Sequence, residues 1–169
     1  MLPRRIGCAV FLLLAGASFA PSQQTSDAIS PPSTPLPLQV TSAKTIFVSN
    51  APWDKYCHVY NGGPQRGYNS FYADLQQWHH YQLVTASTSA DLVFEMSCKS
   101  LETNSVFNGQ GITTDHPEIL LRILDPKTDG VLGTLTERIS PGILAKSRDK
   151  EFDKALANLT EQLKQRIGS

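Results

Sequence analysis

Ala90-Asp91-Leu92-Val93-Phe94-Glu95-Met96-Ser97 alternates in polarity. Leu92, Phe94 and Met96 fall on one face, and Val93 and Glu95 on the other. That period of two is the mark of a half-buried strand. Downstream, Ile119 to Leu124 is apolar except for Arg122, and Val131 to Ile139 is a second run of strand character. Between them, Asp125-Pro126-Lys127-Thr128-Asp129-Gly130 places proline, aspartate and glycine where a turn accepts them. The two runs are therefore expected to form an antiparallel hairpin.

Farther on, Phe152, Leu156, Leu159 and Leu163 lie at helical spacing. They predict a helix from about Arg148 to Arg166, with Ser147 as N-cap and Gly168 as its end. Upstream, Thr45-Ile46-Phe47-Val48 reads as a strand, stopped by Asn50-Ala51-Pro52. A glycine- and proline-rich loop is expected to about Asn69. Phe71, Leu75 and Trp78 then share one helix face, capped by Asn69 or Ser70 and ending near His80. Tyr81 to Val84 reads as a short strand. Lys99 to Pro117 is polar and is expected to be a second long loop, either a functional arm or a mobile connection.

The order is β-α-β-β-β-β-α. Each helix has one apolar face, so the expected fold is α+β. It is a two-layer sandwich: a single mixed sheet of about five strands with two helices packed on one face. The strand–helix–strand unit at the start implies parallel strands with a right-handed crossover.

The chain has 169 residues, with 15 basic and 15 acidic side chains, 40% hydrophobic and 18% charged. That length fits one domain. The balanced charge excludes a strongly basic nucleic-acid binder, and no apolar run reaches the ~20 residues of a membrane-spanning helix. Residues 1–20 read as a secretory signal peptide: Arg4 and Arg5, an apolar run from Ile6 to Leu14, then small residues. Cleavage is favoured after Ala17, because a cut after Ala20 would abut Pro21. Leu14-Ala15-Gly16 is followed by Ala17 and not by the cysteine of a lipobox. The mature chain keeps 13 basic against 15 acidic residues, a formal charge of −2. Residues 21–40, rich in proline and serine, read as a linker or a proline-rich recognition segment. Residues 41–169 form the expected single domain. Its location is expected to be periplasmic or secreted.

Export leaves Cys57 and Cys98 as the two remaining thiols. In an oxidising compartment such a pair tends to bridge, and the alternative is two separate free cysteines. Cys57-His58, His79-His80 and His116 lack the spacing of a zinc site, so no metal is expected. No P-loop, G-x-S-x-G, H-E-x-x-H or dinucleotide fingerprint is present, and no cofactor or catalytic residue is assigned.

The richest chemistry lies in residues 52–72, which hold six of the 14 aromatic residues. Trp53, Tyr56, His58, Tyr60, Arg66 and Tyr68 are the candidate binding residues, since aromatics and arginine are enriched at binding hot spots. The same aromatics have a second reading, in which the loop folds back and caps the edge of the core.

Several phrases together resemble small bacterial envelope proteins of unknown function. They are Lys44-Thr45-Ile46-Phe47-Val48, Ser89-Ala90-Asp91-Leu92-Val93-Phe94-Glu95, Leu121-Arg122-Ile123-Leu124-Asp125-Pro126-Lys127-Thr128, Val131-Leu132-Gly133-Thr134-Leu135 and the C-terminal amphipathic helix. The chain also resembles, more distantly, the α/β domain of envelope assembly lipoproteins and the N-terminal domain of the Tol-system propeller protein. The resemblance spans about residues 44–167. It implies a non-enzymatic partner-binding or assembly module, with an envelope protein or a glycan as partner. The alternative is a small secreted hydrolase or glycan-active protein, built from His58 or His116 with an acid and a hydroxyl.

Overall fold

The computed structural model describes residues 35–107 and 110–168. The expected signal peptide, and the expected linker up to residue 34, lie outside them. Three helices and five strands follow one another in this order: α1 (Leu38–Ser42), β1 (Thr45–Asn50), α2 (Gly63–Trp78), β2 (Gln82–Leu83), β3 (Leu92–Phe107), β4 (Gln110–Leu124), β5 (Val131–Arg138) and α3 (Ala145–Ile167). A short 3-10 turn, Lys55–Val59, lies between β1 and α2.

The strands make one sheet in the order β2-β1-β3-β4-β5. β1 runs parallel to both β2 and β3, and the remaining neighbours are antiparallel. This is the expected mixed sheet of an α+β sandwich. Alternation sorts its two faces. Phe94 pairs with Ile123, Met96 with Leu121 and Cys98 with Ile119, and all six are fully buried. They meet Phe71 and Leu75 of α2 and Phe152, Leu156, Leu159 and Leu163 of α3 in one core. A single buried Leu or Phe side chain contributes roughly 1.5–3 kcal/mol, so this shared layer is the main source of stability. The opposite face carries Val93, Glu95 and Ser97, with Arg122 donating to Glu95 across the strands.

Four local expectations are corrected. The helix expected from about residue 70 begins at Gly63. Pro64 sits in its first turn, where a missing N–H costs no hydrogen bond. Gly62 and Gly63 have φ of 79° and 50°, so the glycines turn the chain into the helix. The strand expected over Tyr81 to Val84 shrinks to two paired residues. Ser147 is not the N-cap of α3. It lies one turn in, and its hydroxyl accepts the Leu144 N–H at 3.1 Å, the reciprocal half of a capping box.

The largest correction concerns Lys99–Pro117. It is no loop: β3 and β4 stay paired from Val93↔Leu124 to Phe107↔Gln110. At the other end, Val40 is fully buried, so packed residues extend into the segment expected to be linker.

Candidate functional site

Residues 52–69 are held against the sheet and α3 by fixed contacts. The Asp54 N–H donates to the Cys98 carbonyl at 2.9 Å, and the Cys57–Cys98 disulfide bridges Cα atoms 6.0 Å apart. The expected bridge is therefore present. It ties the 3-10 turn to β3 at the point where core burial ends.

This anchoring directs the aromatics inward. Trp53 is buried, its indole N–H donates to Asn50 Oδ1 at 3.0 Å, and its ring lies 5.8 Å from that of Phe152. Tyr60 is buried and stacks on the same Phe152 at 5.0 Å. Burial pushes the Tyr60 hydroxyl up from the ordinary phenol range. Arg66 lies 5.9 Å from the centre of the Phe152 ring and donates to both carboxylate oxygens of Asp153, at 2.7 and 2.6 Å. It also pairs with Asp149 at 3.4 Å.

Asp149 in turn accepts the Asn61 N–H at 3.0 Å. That bond, with the Asn61 amide and the nearby Arg66 and Arg148 charges, holds its carboxyl below the usual range. Three of the six candidates, Trp53, Tyr60 and Arg66, thus converge on the first turns of α3. The other three do not join them. Tyr56 and His58 sit on the 3-10 turn, with Lys55 Nζ 4.7 Å above the Tyr56 ring. Tyr68 stacks on Tyr72 at 5.9 Å. His58 is exposed, and Tyr56 and Tyr68 are half-buried.

The phrases that carry the family resemblance have structural work to do. The Asp91 carboxylate accepts the N–H groups of Lys44 and Thr45, both at 2.9 Å, and so ties the start of β3 to the start of β1. These bonds hold Asp91 below the usual carboxylate range. Asp125 accepts the Lys127 N–H at 2.9 Å and the Thr128 hydroxyl at 3.1 Å, which closes the β4–β5 turn.

The surface feature that sequence reasoning missed is the outer part of the β3–β4 hairpin. Core burial stops at Cys98 and Ile119. From Leu101 to Asn104, and from Thr113 to Asp115, the residues are exposed yet still paired. Thr113 donates to Asn104 Oδ1 at 2.8 Å across the ribbon. β1 leaves β3 after Met96, and β5 begins to pair with β4 only at Glu118. The hairpin therefore projects as a two-stranded arm.

Its ladder can be phased from the body. The Met96 and Cys98 carbonyls accept from Ala51 and Asp54, and the Pro117 carbonyl accepts from Ile139, so these groups face away from the β3–β4 pair. By alternation, the backbone groups of Glu102, Asn104, Thr113 and Asp115 also face outward.

Ser100 Oγ lies 3.4 Å from Asp115 on this arm. His116, next in the chain, projects from the opposite face of the strand, so these three do not form a triad. Among the described residues no group of three or more His, Cys, Asp or Glu side chains is placed to hold a metal. No described helix is long and apolar enough to cross a membrane.

No family model matches the chain, and no curated protein matches it. Solved structures do. A Xanthomonas campestris protein of the DUF330 family model aligns at 16% identity and TM-score 0.51, over 80% of this chain and 90% of that one. PelC from Paraburkholderia phytofirmans, solved as a dodecamer, aligns at 13% identity and TM-score 0.48, over 79% and 93%. A minor lipoprotein from Acinetobacter baumannii aligns at 12% identity and TM-score 0.40, over 73% and 91%. The first likeness is one of fold alone, and the weaker two add nothing to it. The fold shared with the DUF330 protein is in keeping with the resemblance drawn from the sequence.

Proposed function

We propose that this protein is an exported, non-enzymatic partner-binding or assembly module of the bacterial cell envelope, and that it engages its partner through the β3–β4 arm. The observation that carries this reading is the arm itself. A hairpin paired well past the end of the core, with outward backbone groups on both edges, is a template for adding strands. Export is supported by the signal-like residues 1–20 and by the Cys57–Cys98 bridge, since disulfides persist in oxidising compartments.

Within this reading, the earlier candidates Trp53 and Tyr60 serve as packing. Tyr56 and His58 lie on the 3-10 turn that the disulfide ties to β3 at the base of the arm, whereas Arg66 is engaged by Asp149 and Asp153 and Tyr68 stacks on Tyr72. No observation favours the hydrolase or glycan-active alternative.

The test is to shorten the arm without touching the core. Replacing residues 102–115 by Asn-Gly joins Leu101 to His116, a hydrogen-bonded pair suited to a two-residue turn. The full exported chain and the shortened one are cross-linked in growing cells. The expected result is a discrete adduct for the full chain and none for the shortened one. The same adduct from both would overturn the reading.

A further inference from the structure

Two apolar side chains are held out into water at the start of α3. Ile143 is 94% exposed and Leu144, next to it in the chain, is 71% exposed. The other exposed large apolar side chains among the described residues, Leu38, Val59, Leu101 and Val131, stand singly, as is ordinary at a protein surface. The pair is carried by a fixed backbone. Gly142 lies directly on the first turn of the helix, where an added Cβ would stand 2.6 Å from the Arg148 nitrogen. The Leu144 carbonyl accepts the Arg148 N–H at 2.9 Å and the Ser147 hydroxyl at 2.8 Å, and the Leu144 N–H donates to Ser147 Oγ at 3.1 Å. The backbone is thus clamped on both sides of Ile143, while its side chain rests on almost nothing of its own chain.

The surroundings of the pair are cationic. Lys146 and Lys150 are exposed and share a surface with Leu144. From Arg138 to Lys154 the chain carries five basic and three acidic residues, and two of the acids, Asp149 and Asp153, are paired with Arg66. The first turn of α3 has no acidic residue, and the helix dipole adds positive charge at that end. This positive region belongs to a mature chain whose overall formal charge is −2.

We infer that Ile143 and Leu144 insert into the surface of a phospholipid bilayer bearing anionic headgroups, with Lys146 and Lys150 against those headgroups. Peripheral segments bind a membrane interface through buried apolar area together with the attraction of lysine and arginine to anionic lipid, and this segment presents both. A side chain standing clear of its own protein needs a shaped pocket in a protein partner, whereas acyl chains close around it without one. Two aliphatic side chains and a few cations give weak, reversible binding, on the order of that of a single acyl chain. The inference goes beyond the proposed function and does not depend on the arm.

The measurement is co-sedimentation of the mature chain with vesicles of phosphatidylethanolamine and phosphatidylglycerol, set against neutral vesicles of phosphatidylethanolamine and phosphatidylcholine. The wild type is expected to bind the anionic vesicles about tenfold more tightly than the neutral ones. Ile143→Ser with Leu144→Ser should weaken binding about tenfold, and Lys146→Gln with Lys150→Gln about tenfold. All four positions are exposed, so the melting temperatures of both variants should match the wild type. The chain with the shortened arm should bind as the wild type does. A wild type left in the supernatant by anionic vesicles, or a serine variant that sediments as well as the wild type, would overturn the inference. Binding that follows the arm and not Ile143 would overturn it too. None of these results bears on the adduct expected in cells, so the proposed function stands or fails separately.

Discussion

The indole of Trp53 lies directly on Gly67: a Cβ added at Gly67 would stand 2.8 Å from Trp53 Cη2 and 3.2 Å from Phe152 Cζ. One helix of the sandwich therefore approaches the aromatic segment closely enough that only a residue without a side chain fits. Gly67→Ala is expected to destabilise the protein by about 1–3 kcal/mol through overpacking. Trp53→Ala is expected to cost about 3–5 kcal/mol through the cavity it leaves. Urea unfolding followed by near-ultraviolet circular dichroism checks both. A neutral Trp53→Ala would mean that the indole is not part of the core.

The Cys57–Cys98 bridge joins residues 41 positions apart. Constraining a loop of that length removes denatured-state entropy worth about 4 kcal/mol in the chain-entropy model. The double substitution Cys57→Ser with Cys98→Ser should lower the unfolding free energy by up to about that amount. Wild type in reductant should behave in the same way. An unchanged melting temperature would show that the bridge adds nothing to the fold.

Asp91 gives a pH-dependent signature. Its carboxyl is held below the usual range first by the Lys44 N–H, and then by the N–H and hydroxyl of Thr45. A depressed folded-state pKa contributes stability above the unfolded value of about 3.9 and loses it as pH falls through the folded value. Because the group is exposed, the gap between wild type and Asp91→Asn is expected to be modest, about 1 kcal/mol at pH 7. It should close below about pH 4. Denaturant titrations at pH 7 and pH 3 check this; a gap that widened in acid would contradict the assignment.

The arm should be separable from stability. Its exposed residues beyond Cys98 and Ile119 lie outside the core, so replacing residues 102–115 by Asn-Gly should change the unfolding free energy by less than about 1 kcal/mol. Thermal unfolding of the shortened chain measures it. A large loss would make the arm a structural element.

These elements differ in how openly the sequence announces them. β3 near Phe94 and Met96 reads plainly, because one of its faces is packed and the other is not, and α3 reads plainly for the same reason. The arm is silent. Both of its faces meet water from Leu101 to Asn104, so no alternation marks it, and only cross-strand pairing keeps it extended. The start of α2 is hidden because Gly62-Gly63-Pro64 has turn composition, although proline suits a first helical turn. At the candidate site, the aromatic cluster of residues 52–72 is visible in the sequence. Its direction is not: Trp53 and Tyr60 turn inward because the segment is anchored to Cys98 and because Phe152, far along the chain, offers a ring to both. The disulfide was legible as soon as export was read from the first twenty residues.

The most direct test of the arm as the binding element is site-specific photo-cross-linking in the native envelope. A photoreactive side chain is placed singly at Leu101 or Thr113 on the arm, or at Lys154 or Ala157 on the exposed side of α3. The account expects defined adducts from the two arm positions and none from α3. Adducts from α3 with a silent arm would contradict it.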